Sequence, residues 1–251
     1  MSEQKEPVTM RSLERAIDVL EVLEDAGRAL RLVDIADRAG LHVATTQRLL
    51  GVLEGRGRVE RDGKNYRAGV NLIFGAHAYL TTSPLVAASR PVLQELAERT
   101  GLTASLFVRT GAHRAVVARV HGLRPLRYEL PIGAKLPLHL GAGKTLAADL
   151  TPAELTHLLD QVGPMTDAEG RTISPEAFLA DLGNIKHQGF QVAVNERQLG
   201  SLSVSAPVRS SQSGAVVAAI TIGAASEDVS DDEISGLSIE VRRAASAVIV
   251  P

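Results

Sequence analysis

One glycine-rich segment has residue types suited to phosphate chemistry. Gly141-Ala142-Gly143-Lys144-Thr145 resembles the end of a nucleotide-binding P-loop, in which backbone N–H groups cradle phosphates and a lysine neutralises them. The full pattern needs a glycine five residues before Gly143, where the chain has Leu138, so no ATPase is predicted. A glycine-rich entry to a helix over 142–150 still presents backbone N–H groups and a positive dipole end. A carboxylate could therefore dock there.

The histidines form no recognisable catalytic or metal-binding pattern. None is paired as His-x-x-x-His and none lies in a nucleophile motif; they are His42, His77, His113, His121, His139, His157 and His187. The chain has no cysteine, which excludes thiolate metal sites and disulfides. We predict no catalytic residue, no metal and no cofactor, and a structural role for His139.

Positive charge is concentrated in one short segment. The net charge is −2, and residues 1–40 carry six Lys or Arg against nine Asp or Glu. Residues 41–70 carry six against three. Because a local positive field attracts polyanions, this segment is a candidate nucleic-acid surface despite the nearly neutral total.

The elements around this segment are typical of a winged helix-turn-helix. Helical spacing places Leu13, Ala16, Ile17, Leu20 and Leu23 on the packing face of a first helix, which ends at Gly27. A second helix over 32–39 and a turn at Gly40-Leu41 precede a third helix, whose predicted core face consists of Thr46, Leu49, Leu50 and Leu53. Asp62-Gly63 then predicts a hairpin over 58–68, the wing.

The third helix and the wing supply the predicted DNA contacts. The residues predicted to enter the major groove are His42, Val43, Ala44, Thr45, Gln47 and Arg48. Arg48 suits a guanine edge and Gln47 an adenine edge. The predicted phosphate contacts are Arg56, Arg58, Arg61, Lys64 and Arg67. For any one of these charges a solvated surface position is the alternative, so the prediction depends on the cluster.

The rest of the chain predicts a linker and a larger domain, of the α/β or the α+β class, with a mixed or antiparallel sheet. Residues 71–82 are compatible with a helix but contain no core of their own, and Ser83-Pro84 marks a boundary. Strands are predicted at 104–109, 114–121, 127–130, 191–194, 201–208 and 216–222. Thr151 and Ser230 each begin a capping box. The apolar run 215–225 is about half the roughly 20 residues needed to cross a bilayer, so it is predicted to be a buried strand.

Several motifs resemble the IclR family of bacterial regulators over nearly the whole chain. The family opening is similar to residues 12–20, and its recognition helix is similar to Thr45, Arg48-Leu49-Leu50 and Leu53-Glu54. The second-domain landmarks are Gly133 to His139, Gly141 to Lys144, Gly189-Phe190 and Ala206-Pro207-Val208. The chain departs from the family's Pro-Lys-Ser-Thr-Val at residues 42–46, where a lysine and a serine are missing. The operator sequence therefore does not transfer.

The resemblance implies a fold, partners and a ligand site. It implies a winged helix-turn-helix over 9–71, a linker helix over 72–84 and a GAF-like (profilin-like) effector-binding domain over 85–251. It also implies homodimers, or dimers of dimers, on double-stranded operator DNA. The effector contacts that it implies are Tyr128, Gly141, Ala142, Ser203, Thr221 and Gly223. Ordinary packing is the alternative for each of them.

For the ligand and the regulatory outcome, the sequence predicts only a general class. Ala193 and Ser203 stand where relatives often have an acidic residue and a cysteine, so we expect a less acidic pocket and a small organic acid as effector. A ligand-responsive repressor of a catabolic or metabolic operon is predicted, with an activator as the alternative. An enzyme, or an interaction module with a vestigial DNA-binding domain, is the alternative of another class. The lack of cysteine and of an apolar leader favours the cytoplasm, with no membrane partner.

Overall fold

The structure, a computed structural model, describes residues 8–124 and 130–250. The chain divides into two compact units between Tyr79 and Leu80. Elements of the first unit are α1 (Val8–Ala26), β1 (Leu30–Arg31), α2 (Leu32–Arg38), α3 (Val43–Gly55), β2 (Val59–Asp62) and β3 (Asn65–Ala68). Helix α4 (Leu72–Thr82) contains the point of division.

The core of the first unit joins its three helices to a small antiparallel sheet. Strands β1, β3 and β2 lie in that order within the described residues, and β1 was not predicted. The fully or nearly fully buried members of the core are Val19, Leu23, Leu30, Ile35, Leu50, Leu53, Val59 and Tyr66. Thr46 and Leu50 are buried on α3 and Leu49 is half-buried, so the predicted core face of this helix is confirmed.

The predicted packing face of the first helix is partly wrong. Leu23 is buried as expected, but Leu13 is 63% and Ile17 46% exposed in the single chain. Val19, which was not predicted, is fully buried. The reason is that only the second half of α1 reaches this core, which it meets from Val19 onwards.

The wing is a two-residue hairpin. Asp62 pairs with Asn65, so Gly63 and Lys64 form the loop. Gly63 has φ of +59°, whereas no positive φ occurs at Lys64. A positive φ at only the first loop position is typical of a type II′ turn, which glycine adopts without a steric cost. Asp62-Gly63 therefore predicted the hairpin correctly, with Asp62 as the last strand residue.

The second unit contains an antiparallel sheet, six-stranded in the described residues, in the order β6-β5-β4-β9-β8-β7. Its strands are β4 (Thr103–Thr110), β5 (His113–Val120), β6 (Lys135–Pro137), β7 (Gln191–Val194), β8 (Ser201–Arg209) and β9 (Val216–Ala225). The helices are α5 (Pro84–Thr100), α6 (Ala142–Ala147), α7 (Pro152–Gln161), α8 (Pro175–Gln188) and α9 (Asp231–Ala247), with a 3₁₀ turn at Ser226–Asp228. The strand predicted at 127–130 falls mostly on residues 125–129, outside the described residues.

Helices cover both faces of this sheet. Helices α5 and α9 pack on one face, through residues such as Leu93 and Val241. Helices α6, α7 and α8 pack on the other, where Phe107 and Phe178 belong to a second buried cluster. Thr151 and Ser230 both form the capping boxes that the sequence predicted. Every helix of the described residues is too short or too polar to cross a lipid bilayer.

Candidate functional site

The exposed side of α3 carries the side chains predicted to read DNA. His42 precedes the helix in extended conformation, and no side chain caps the helix start. Because the buried residues of α3 face the core, the opposite side of the helix is free. His42, Val43, Ala44, Gln47 and Arg48 are exposed there, and Thr45 is half-buried. A helix presented in this way fits the width of the major groove.

The side chains predicted to contact phosphates differ in whether they already form hydrogen bonds or ion pairs within the protein. Arg67 forms an ion pair of 3.0 Å with Glu60, and Arg58 donates from Nη1 to the carbonyl of Asn71 at 3.1 Å. Arg61 donates to the Gly63 carbonyl at 3.0 Å and lies over the ring of Tyr66.

Three of the predicted DNA-contacting cations remain open. Arg48, Arg56 and Lys64 have exposed side chains with no protein partner within residues 8–124 and 130–250. Arg48 lies on α3, Arg56 directly follows that helix, and Lys64 lies at the tip of the wing. These three are therefore the side chains best placed to give their full charge to a polyanion.

The second unit contains a cavity of about 190 Å³ on the sheet face that α6 covers. Alternate residues of neighbouring strands point into it, including Ser105 and Phe107 of β4 and Thr221 and Gly223 of β9. The volume is below the roughly 300–1,000 Å³ of pockets for drug-sized ligands, so it suits a small metabolite.

The structure brings most of the predicted effector contacts together around this cavity. Gly141, Ala142, Ser203, Thr221 and Gly223 all line it. Tyr128 lies outside the described residues. The Thr221 hydroxyl is buried without a hydrogen-bond partner, as is that of Thr103, which was not predicted. Unsatisfied buried hydroxyls are costly, so they fit a site whose partner arrives with a ligand.

The expectation of a free helix entry at Gly141 is wrong. Helix α6 is short, and its Gly141 N–H donates to Glu196 Oε2 at 2.7 Å. Lys144 holds that carboxylate in place: its Nζ lies 2.7 Å from Glu196 Oε1 and 2.6 Å from Asp181 Oδ2. Burial by itself lowers the pKa of Lys144, but the hydrogen bonds that its ammonium donates to Asp181 and Glu196 outweigh this effect and hold the pKa above its usual value. The protein's own carboxylate thus occupies the predicted docking position.

The expectation of a less acidic pocket considered only residues 193 and 203 and left out most of the charged side chains that line the cavity. Ala193 and Ser203 do line the cavity, but so do Glu196 and Glu227. Three arginines outnumber these two carboxylates in the lining: Arg114, Arg119 and Arg197. Sequence reasoning did not select any of the five.

One signal for Arg114 was available in the sequence. Arg114 is the second residue of the largely apolar strand β5, where a charge is out of place, and it is only 3% exposed. Burial lowers the pKa of Arg114 to about 9, and the charge of Arg197 adds to this while Glu196 opposes it. By contrast, Arg119 donates from Nε to Ser105 Oγ at 3.0 Å and from Nη1 to the Leu130 carbonyl.

Comparison with known proteins assigns both units to one family. The model of the IclR helix-turn-helix domain matches residues 12–63, and that of the bacterial transcriptional regulator IclR C-terminal domain matches residues 77–250. The chain belongs to the IclR family of bacterial transcriptional regulators. This IclR-family protein is therefore a regulator with a DNA-binding helix-turn-helix, and the enzyme alternative is wrong.

Individual relatives are similar over nearly their whole length. The chain is 29% identical to the acetate operon repressor of Salmonella typhimurium, covering 96% of this chain and 90% of that one. It is 28% identical to the transcriptional repressor IclR of Escherichia coli, with coverages of 95% and 89%. Among solved structures, an IclR transcriptional regulator from Alicyclobacillus acidocaldarius matches with a TM-score of 0.76 and 21% identity, covering 95% and 97%. An IclR homologue from Microbacterium hydrocarbonoxydans, complexed with 4-hydroxybenzoate, matches with a TM-score of 0.70 and 22% identity, covering 94% and 97%. These two structures support the α+β fold.

Proposed function

We propose that this regulator is a ligand-responsive repressor of a catabolic or metabolic operon. In this proposal residues 9–71 bind operator DNA, 72–84 form a linker helix and 85–251 bind a small organic acid in the cytoplasm. The observation that carries the DNA part is the open outer face of α3, with Arg48 exposed and unpaired in the described structure. The relatives named as the acetate operon repressor and as transcriptional repressors support repression as the outcome.

The ligand part of the proposal rests on the cavity of the second unit. It is lined by five of the six predicted contacts, its described lining contains more arginines than carboxylates, and its volume suits a small metabolite. The homologue solved with 4-hydroxybenzoate, an organic acid, supports the same class of ligand for this chain. Binding that favours one arrangement of the protein changes its affinity for DNA by the same free energy, because linkage is reciprocal.

A homodimer, or a dimer of dimers, is the proposed binding unit. Large apolar side chains are exposed on two helices of the single chain, at Leu13 and Ile17 of α1 and at Ile73 and Phe74 of α4. No residue of α4 is buried by its own chain. Apolar surface of this extent is typical of an interaction site. Sedimentation equilibrium of the intact protein tests the proposal, which a monomer at all concentrations would contradict.

DNA binding is tested with the regulator's own upstream region and the variant Arg48→Ala. We expect a loss of about 1–3 kcal/mol, the usual contribution of an arginine that reads a base, which is roughly 5- to 150-fold in affinity. Fluorescence anisotropy and footprinting measure it. Lys186→Ala is the control, because it removes one exposed charge from α8 in the other unit.

The wing gives a second, independent measurement. Lys64→Ala should weaken binding to all sequences alike and reduce the slope of log affinity against log salt by about 1, as expected for one lost phosphate contact. If Arg48→Ala and Lys64→Ala both bind like the wild type, the proposed DNA surface is wrong. If the wild type binds its upstream region without sequence preference, with or without small acids, the repressor proposal is wrong.

A further inference from the structure

Arg114 is a buried cation that no carboxylate of the described residues pairs with. Its only hydrogen bond there runs from Nη1 to the Pro137 carbonyl, at 3.3 Å. Its Nε is buried and has no acceptor. The guanidinium carbon lies over the ring of Phe107, 5.3 Å from the ring centre. Within residues 8–124 and 130–250, the edge formed by Nε and Nη2 therefore has no hydrogen-bond partner.

An unpaired buried charge of this kind is unfavourable for folding. Transfer of an ion from water to a protein interior carries a desolvation cost that only an opposite charge or good hydrogen bonds offset. Phe107, one backbone carbonyl and the nearby charge of Glu196, which is itself paired with Lys144, offset only part of it. Because Arg114 lines the cavity, the missing acceptor can enter with a ligand.

The other place where an anion could bind in this cavity is already filled. Glu196 accepts the Gly141 N–H and is held by Lys144. A second carboxylate at the same point would meet the charge of Glu196. A ligand anion is therefore directed to Arg114, whose Nη2 lies 3.7 Å from the position that a Cβ on Gly141 would take. The Ser203 hydroxyl lies 3.6 Å from that same position, so both groups face one small space.

We propose that Arg114 is the anion anchor of this cavity and that the effector is a small monocarboxylate. The carboxylate binds the unpartnered Nε and Nη2 edge of the guanidinium. The inference rests on the proposed function, in which this cavity binds the effector. It adds that the Arg114 guanidinium selects a negatively charged ligand. The Nε and Nη2 edge of an arginine matches the two oxygens of a carboxylate. Among the described residues the lining contains three arginines and two glutamates, so a single carboxylate would balance the excess charge of this part of the lining. The buried hydroxyls of Thr103 and Thr221 serve further oxygen atoms of the ligand.

The proposal is tested by thermal unfolding of the full chain with acetate, pyruvate and benzoate. Each acid is compared with its uncharged amide at constant ionic strength, and inorganic phosphate is included as a dianion. We expect at least one carboxylate to raise the Tm of the wild type in a saturable way, and the amides to have no effect. Arg114→Met should abolish this increase. Arg114→Lys should weaken the apparent affinity at least about tenfold, because an ammonium is a point charge and cannot donate two parallel hydrogen bonds to the carboxylate as a guanidinium does.

The ligand-free proteins separate an anchor from a structural arginine. Removal of an unpaired buried charge should leave the Tm of Arg114→Met equal to or above that of the wild type. Arg109→Met is the matched control. Arg109 lies on β4 outside the cavity and is 3.6 Å from Glu154, so this variant should keep the full response to carboxylates.

Several results would overturn the proposal. These are the absence of any Tm increase with the three acids, an equal increase with their amides, a larger increase with phosphate, and a retained response in Arg114→Met. A ligand-free Arg114→Met that unfolds below Arg109→Met, or does not fold, assigns Arg114 a structural role and also overturns it. Operator binding is measured on the same proteins. A wild type that binds operator DNA but none of these carboxylates refutes the role of Arg114 and the proposed acid ligand but leaves the DNA-binding part of the proposed function standing, whereas one that binds no operator refutes that part.

Discussion

The buried ion cluster around Lys144 gives the sharpest test of the second unit's energetics. The lysine side chain is 5% exposed, whereas those of Glu196 and Asp181 are 20% and 43% exposed. The variant Lys144→Met keeps the length of the side chain and removes its charge. It leaves Glu196 with one N–H donor from Gly141, and a side-chain amide of Gln191 at 3.3 Å, but no cation in direct contact.

The exposed fractions of Glu196 and Asp181 determine how much Lys144→Met lowers the free energy of unfolding. Removing one partner from a fully buried ion pair costs about 3–5 kcal/mol, because the remaining charge is left without compensation. Asp181 is exposed enough for water to solvate its charge when the lysine is removed. Most of the destabilisation therefore comes from Glu196, which is more buried. We therefore expect Lys144→Met to lower the free energy of unfolding by about 2–4 kcal/mol. In Lys144→Met the further change Glu196→Gln should restore about 1–2 kcal/mol, since a glutamine oxygen still accepts from Gly141 without a charge.

Chemical denaturation followed by circular dichroism measures the four proteins of this double-mutant cycle. Lys186→Met serves as the control and should stay within about 0.5 kcal/mol of the wild type, because Lys186 is exposed on α8. The raised pKa of Lys144 means that the folded state holds this proton more tightly than the unfolded chain. The contribution is therefore complete at neutral pH and is lost as pH rises through the folded-state pKa. Lys144→Met within 1 kcal/mol of the wild type, or no recovery with Glu196→Gln, would refute this reasoning.

Two further predictions concern packing and pH. A Cβ on Gly143 would lie 2.6 Å from the carbonyl carbon and the Cα of Leu138, so Gly143→Ala should destabilise by about 1–3 kcal/mol or more in denaturant titrations. Gly183→Ala, on α8 with open space around it, should instead stabilise by up to about 1 kcal/mol; equal effects of the two would contradict the packing argument. Burial lowers the pKa of His139, against the hydrogen bond to Thr166, so the unfolded chain takes up a proton before the folded one. Wild-type stability should fall as pH drops below about 6.5, and His139→Gln should flatten that dependence while His157→Gln does not.

The local elements were predictable because their signals lie close together in the sequence. The spacing of Thr46, Leu50 and Leu53 determines which side of α3 is buried, and so which side is open. The glycine after Asp62 determines the hairpin. Capping boxes at Thr151 and Ser230 involve residues only three positions apart. In each case a few neighbouring residues contain all the information.

The pocket charges were not predictable in the same way. Arg114 and Glu196 reach the cavity from β5 and from the loop after β7, which sheet pairing and a left-handed Asn195 bring to one place. Val19 was missed on α1 for a related reason, since helical periodicity shows a stripe but not how far along the helix the core extends. Long-range register, and the length over which an element is covered, depend on partners distant in sequence.

The carboxylate that Lys144 holds at the start of α6 decides which position in the proposed effector cavity a small anion can occupy. Glu196 is part of the chain, so it competes for the Gly141 N–H at an effective concentration of millimolar order or above, whatever the supply of metabolites. An acid that offers only a carboxylate for this spot cannot outcompete it at lower levels. In the proposed sensor, Glu196 therefore keeps common small anions off the Gly141 N–H and leaves Arg114 as their anchor, and a change at residue 196 should open a second anion position in the cavity without altering the DNA surface.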